Sequence, residues 1–117
     1  MTLGQKQRKF MKCVGQLLAY IYFGPHNKRY AVTLGDGYRD PRVFGKVGLK
    51  KGYGRSSSNH KIRLAIDLNL FIDEKYQTTT EAHKPLGEFW ESLDPDCAWG
   101  GHFNDGNHYS FSHLGRR

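Results

Sequence analysis

The segment Ser58-Asn-His-Lys-Ile-Arg-Leu-Ala-Ile-Asp67 joins a polar loop to an apolar run near the middle of the chain. Within the run 64–71, the even positions Ile66, Leu68 and Leu70 are aliphatic, whereas Asp67 occupies an odd position. Alternation with a period of two is typical of a strand that has one face in the core. The sequence therefore predicts a strand in which Asp67 points away from the aliphatic face.

His60 precedes this strand and Asp67 lies within it, seven positions later. On a helix the two residues would be roughly 10 Å apart, too far to share one ion at the usual ligand distances. A corner between a loop and a strand can bring them together. The spacing therefore favours His60 in the loop and Asp67 on the strand.

The stretch from Trp99 to Phe111 is predicted to form a hairpin, with Gly106-Asn107 as its two-residue turn. In such a hairpin Asp105 and His108 would flank the turn as an opposed pair. His60, Asp67 and His108 would then offer three ligands for a catalytic zinc. Asp105 would be the nearby carboxylate that takes a proton from water.

The residues around these positions resemble the zinc D-Ala-D-Ala carboxypeptidase and L-alanyl-D-glutamate endopeptidase family. Four motifs carry the resemblance: Ser58-x-His60, Ala65-x-Asp67-Leu68, Trp99-Gly100-Gly101 and Asp105-x-x-His108. Gly37-Tyr38-Arg39 is similar to the upstream arginine motif of the family. Arg63 departs from the pattern, because the family usually has glycine there.

The length of 117 residues predicts a single domain, residues 1–117. The resemblance, which runs from about Gly37 to Phe111, implies an α+β fold with a small antiparallel sheet and helices packed on one side, as in hedgehog-like and D-Ala-D-Ala peptidases. It also implies zinc as the cofactor, with His60, Asp67 and His108 as the metal ligands and Asp105 and Arg39 as the catalytic residues. Ser58 either orients His60 through a local hydrogen bond or is a plain turn serine. The guanidinium of Arg39 would neutralise a substrate carboxylate or the developing oxyanion; the alternative is a surface salt bridge with Asp36 or Asp40.

Members of this family cut the peptide stems of bacterial peptidoglycan, and many phage endolysins belong to it. We expect a monomeric endolysin that is made in the host cytoplasm, acts on the cell wall after release and cleaves the L-Ala–D-Glu bond. The alternative within the family is a D-Ala-D-Ala carboxypeptidase, which removes a terminal D-Ala.

The formal net charge of +7 favours an anionic partner, either the cell envelope or nucleic acid. A non-enzymatic, basic nucleic-acid-binding protein is the alternative from another class. The sequence lacks helix-turn-helix, zinc-finger and RNA-binding signatures, so nucleic acid is not expected. Cys13 and Cys97 are expected to be buried free thiols rather than a disulfide.

The remaining segments predict conventional elements. A capping box at Thr2 should begin a core-packing helix that ends near Phe23; a signal peptide is the alternative, and no membrane span is expected. Tyr30–Leu34 should form a strand, Asp73–Thr80 a loop, and a second helix should run from Pro85 to about Leu93.

Four further histidines could compete for the third ligand position, and His113 among them has the wrong strand parity relative to His108. His102 is the alternative third ligand, while His26 and His83 are expected to face solvent. His83 could also cap the second helix, since it lies two positions before Pro85.

Overall fold

The structure, a computed structural model, describes residues 1–35 and 62–113. These residues form two α-helices and five strands. The elements are α1 (Leu3–Phe23), β1 (Tyr30–Leu34), β2 (Ala65–Ile72), β3 (Lys75–Tyr76), α2 (Lys84–Leu93), β4 (Cys97–Trp99) and β5 (His108–Phe111). Short 3-10 turns precede α2 and β5, at Glu81–His83 and Gly100–Phe103. The predicted α+β class is confirmed, while the likeness to hedgehog-type folds stays a prediction.

Helix α1 begins with the predicted capping box. The Thr2 hydroxyl accepts from the Gln5 backbone N–H at 3.1 Å, and the Gln5 side chain accepts from the Thr2 backbone N–H at 2.9 Å. This reciprocal pair satisfies two donors that a helix start leaves free. One face of the helix is buried, through Phe10, Cys13, Val14, Leu17 and Ile21. The prediction of a core-packing helix is therefore confirmed.

The sheet is antiparallel, and its strands lie in the order β1–β2–β5–β4. Strand β1 pairs with β2 from Tyr30–Ile72 to Leu34–Leu68. On the opposite edge of β2, β5 pairs with its beginning and β3 with its end. Strand β2 is therefore paired along both edges, and the strand that the alternating pattern predicts is confirmed.

The segment predicted as a loop after β2 contains a tight hairpin instead. Ile72 pairs with Lys75, and the two residues between them, Asp73 and Glu74, have φ angles of 53° and 68°. Positive φ at both central positions is the geometry of a type I′ turn, which matches the twist of a hairpin. The sequence hides this turn because neither residue is glycine or asparagine.

The core lies between the helices and one face of the sheet. Leu68 and Leu70 of β2 are almost fully buried there, together with Trp90 of α2. The predicted stripe on α2 is confirmed, because Leu86 and Trp90 have no exposed surface and Phe89 and Leu93 pack against the same cluster. Both helices therefore cover the same face of β2, and the face that carries Asp67 is the other one.

Cys13 and Cys97 meet in this core as two free thiols, as predicted. Burial raises the pKa of both thiols, so they stay protonated at neutral pH. No helix in the described residues is long and apolar enough to cross a bilayer.

The sequence predicts a hairpin whose whole loop is the two residues Gly106-Asn107, and that loop length is wrong. Trp99 of β4 pairs with Tyr109 of β5, so the connection runs from residue 100 to residue 107 and begins with a 3-10 turn. Gly106 and Asn107 are the central residues of a β-turn, closed by the His108 N–H bonding to the Asp105 carbonyl at 3.1 Å. Two consecutive glycines after Trp99 end the strand early, because they offer no side chains to a ladder.

Candidate active site

Asp67 and His108 are direct neighbours across strands β2 and β5. The His108 Nδ1 atom lies 3.1 Å from Asp67 Oδ1, and the two side chains are 16% and 13% exposed. The opposed pair predicted for His108 was Asp105, and that part of the prediction is wrong. The partner is Asp67, so the two predicted ligands in the described residues do come together.

The alternation of the strands explains why this pair faces away from the helices. The preceding pair in the register joins Ile66 to Tyr109, and Tyr109 is fully buried on the helix side. Adjacent residues of a strand point to opposite faces, so Asp67 and His108 lie on the open face of the sheet. A carboxylate and an imidazole side by side, partly shielded from water, are a donor pair suited to a zinc ion.

Asp105 begins the β-turn that ends at His108. The ends of a β-turn are less than about 7 Å apart at Cα, so Asp105 lies close to the pair by chain geometry. Its backbone N–H bonds to the Gly100 carbonyl at 2.9 Å, and its own carbonyl accepts from His108. The residue is exposed. Asp105 is therefore placed beside the pair, at the solvent boundary.

A polar pocket of about 180 Å³ adjoins Asp105. It lies where β5 and β3 both leave the edge of β2, and its walls include Asn69, Asn107 and the threonine run 78–80. Hydroxyl and amide groups predominate in this lining, which suits a polar group better than an apolar one. The sequence offers only a weak signal for it, the Thr78-Thr79-Thr80 triplet.

Three predicted site residues, Arg39, Ser58 and His60, lie outside the described residues. Over residues 1–35 and 62–113, no three His, Cys, Asp or Glu side chains are grouped so that they could hold a metal ion. The described part of the chain therefore supplies two of the three predicted ligands, Asp67 and His108. A carboxylate and an imidazole this close together fit a zinc ion. The third predicted ligand, His60, lies outside the described residues and stays a prediction from the sequence.

The prediction that His83 faces solvent is wrong. His83 is 3% exposed, its side chain makes no capping bond, and its Nδ1 lies 2.9 Å from the hydroxyl of Tyr109. Burial lowers the pKa of His83 to about 4, so the ring is neutral at physiological pH. Its position at the start of α2 puts it under the sheet, which periodicity alone does not reveal.

His102, the alternative ligand, is engaged elsewhere. Its Nε2 atom lies 2.9 Å from the Glu91 carboxylate on α2. His26 is half-buried and stacks on Tyr30 with ring centroids 4.6 Å apart. Neither histidine is brought to Asp67 by these contacts.

Arg63 has a φ of 61°, in the left-handed region. Glycine adopts this conformation without steric cost, whereas other residues pay roughly 1–2 kcal/mol. The resemblance places glycine at this position in the family. Arg63 therefore adopts, at a steric cost, a left-handed backbone conformation that glycine would adopt without one.

Comparison with protein-family profiles matches residues 51–111, just over half of the chain, to the family described as D-alanyl-D-alanine carboxypeptidase. The chain belongs to this peptidase family. Asp67, Asp105 and His108 all lie in the matched segment, as does His60, whereas Arg39 lies before it. Comparisons with curated proteins and with solved structures gave no match.

Proposed function

We propose that this protein is a zinc-dependent peptidase that hydrolyses the peptide stems of bacterial peptidoglycan. The observation that carries the proposal is the contact between Asp67 and His108, at 3.1 Å, inside the segment matched to the peptidase family. The family membership supports the reaction class, and this contact supports the identity of two metal ligands.

His60, Asp67 and His108 would hold the zinc, a ligand set of two imidazoles and one carboxylate. Three protein ligands leave a fourth position open, as a catalytic site requires. When bound, zinc supplies Lewis acidity and lowers the pKa of a water molecule toward neutrality.

Asp105 is the proposed general base. It accepts a proton from the water that attacks the peptide carbonyl and then delivers this proton to the leaving amine nitrogen. The Arg39 guanidinium would donate hydrogen bonds to the carbonyl oxygen as negative charge develops there. Ser58 would orient the His60 ring through a hydrogen bond.

Replacing Asp105 by Ala tests the base directly. We expect the zinc content to stay the same and turnover to fall by about 10²–10⁴-fold, the usual contribution of a general base. Glu88→Ala, which removes an exposed carboxylate from α2, is the matched control and should leave turnover unchanged. Cleavage by Asp105→Ala at close to the wild-type rate would exclude Asp105 as the base.

For the scissile bond we propose L-Ala–D-Glu, as in a monomeric phage endolysin made in the host cytoplasm and released to the wall. The net charge of +7 supports an anionic cell envelope as the target. Digestion of purified peptidoglycan should then create new amino termini on D-Glu.

A second candidate is the removal of terminal D-Ala, which the description of the matched family favours. The same digestion separates the two activities. Release of free D-Ala without any new amino terminus on D-Glu would establish the carboxypeptidase and overturn the endopeptidase.

A further inference from the structure

Gly106, the residue after Asp105, is held by a side chain on each side. Its carbonyl accepts a hydrogen bond from the Trp99 indole Nε1–H at 2.7 Å, and this bond is buried. Its N–H donates to the Thr80 hydroxyl at 3.2 Å. Both polar groups of the Gly106 backbone are therefore fixed by residues that lie outside the β-turn.

The space around Gly106 shows how closely the turn is packed. A Cβ built on Gly106 would lie 2.6 Å from the Cα of Thr80, closer than real Cβ contacts. Glycine is thus needed there so that the turn can rest against the segment before α2. The turn is therefore held in position by steric contact as well as by hydrogen bonds.

Trp99 is itself rigidly placed. Its ring is 8% exposed and lies against two glycines, Gly87 of α2 and Gly101, where an added Cβ would overlap the indole. Its backbone N–H donates to the Glu91 carboxylate at 3.0 Å. Because α2 and Gly101 fix the position of the indole, the hydrogen bond from its N–H also fixes the position of the Gly106 carbonyl.

We propose that Trp99 and Thr80 are positioning residues that hold Asp105 in the geometry needed for proton transfer. This inference rests on the proposed function, in which Asp105 is the general base. Gly106 is joined to Asp105 by a peptide bond, so the two hydrogen bonds that fix the Gly106 backbone also restrict the position of the Asp105 backbone, from which the carboxylate projects. Misplacement of a catalytic group by about 1 Å can cost about 100-fold in rate.

Trp99→Phe tests the proposal because it keeps an aromatic ring and removes the N–H donor. We expect kcat to fall by about 10- to 100-fold, with KM and zinc content unchanged. Thr80→Val should lower kcat less, because its bond is longer and only partly buried, and Thr80→Ser should restore it. A Trp99→Phe enzyme with wild-type kcat would overturn the proposal.

Trp90→Phe is the matched control. The Trp90 indole also donates to backbone carbonyls, those of Ala98 and Ser110 at 3.2 and 3.1 Å, but these belong to strands β4 and β5. We expect this variant to lose stability and to keep kcat within about twofold. An equal fall of kcat in both tryptophan variants would show a general structural effect and overturn the proposal.

A double-mutant cycle asks whether Trp99 and Thr80 act through Asp105. In an Asp105→Ala background, adding Trp99→Phe or Thr80→Val should lower the residual turnover no further. Effects that multiply in full would mean that the two residues act independently of Asp105, contrary to the proposal.

Amide hydrogen exchange of the zinc-loaded protein supplies a measurement that does not depend on activity. Trp99→Phe should accelerate exchange at the Gly106 N–H at least about tenfold more than Trp90→Phe does. Unchanged Gly106 exchange would overturn the positioning claim. A wild-type chain without peptidase activity would instead remove the proposed function, and the exchange data would still report on the contact.

Discussion

His108 and Tyr109 are adjacent on β5, yet they serve opposite sides of the sheet. His108 faces the open side and meets the Asp67 carboxylate, whereas Tyr109 is fully buried and meets the ring of His83. The two histidines thus differ in their partners: a carboxylate at the solvent boundary for one, a phenol in the core for the other. The open face carries side chains that can ligate a metal ion, and the helix face carries side chains that pack in the core.

The largest effect is expected from His108→Ala, which breaks the open-face pair. Activity should fall by more than about 100-fold. Losing a residue that only hydrogen-bonds a metal ligand usually costs about 10- to 100-fold, so a larger loss indicates that His108 is itself a ligand. Ser110→Ala is the control, because Ser110 lies on the same face of β5 two residues away and its hydroxyl makes a long, 3.4 Å hydrogen bond to the Ala98 carbonyl. Activity is measured on peptidoglycan. Wild-type activity in His108→Ala would contradict the claim that the face carrying Asp67 and His108 is the functional face of the sheet.

A comparison within β2 separates the same two faces by stability. Leu70 is fully buried on the helix face, so Leu70→Ala should lower the free energy of unfolding by about 2–5 kcal/mol. Asn69, its neighbour on the open face, makes an exposed 3.3 Å bond to Thr33, and Asn69→Ala should cost less than about 1 kcal/mol. Urea denaturation measures both variants, and equal losses would contradict the assignment of the faces.

The buried histidine should make the fold sensitive to acid. Because the pKa of His83 is lowered to about 4 and the unfolded value is near 6.5, the unfolded chain takes up this proton first. The contribution of His83 to stability is complete above about pH 6.5 and decreases by about 3 kcal/mol as the pH falls toward 4.

This pH effect is measured by urea denaturation between pH 7 and pH 4. His83→Gln should flatten the loss of stability with falling pH relative to the wild type. An identical slope in both proteins would show that His83 is not protonated preferentially in the unfolded chain.

The smallest effect is expected at Arg63, which stands in the left-handed region. Arg63→Gly should remove the steric cost of that conformation but add conformational freedom to the unfolded chain. The net gain should be no more than about 1 kcal/mol in a thermal or urea transition. A loss of more than 1 kcal/mol would mean that the Arg63 side chain makes a stabilising contact.

The alternating residues Ile66, Leu68 and Leu70 predict β2 and the orientation of Asp67 correctly, because strand periodicity is a local property. The capping box and the apolar stripe likewise predict α1. The partner of His108 could not be found in this way. The Gly106-Asn107 signal favours a hairpin, and the pairing of β5 with β2 depends on contacts between segments about 40 positions apart.

The Asp73–Glu74 turn and the Trp99 contact escape prediction for related reasons. Two acidic residues at positive φ run against local preference, and the twist of the strands on either side decides their conformation. The hydrogen bond from Trp99 to the Gly106 carbonyl depends on the space that Gly87 leaves on a separate helix. No local pattern encodes such a contact.

The most direct test of the account is the zinc stoichiometry of the full chain. The protein is stripped with a chelator, reloaded with zinc, and measured as the wild type and as Asp67→Ala, His108→Ala and His60→Ala variants. We expect one zinc per wild-type chain and loss of that zinc in each of the three variants. A wild type that binds no zinc, or an Asp67→Ala variant that retains a full equivalent, would contradict the claim that the open-face pair is a metal site.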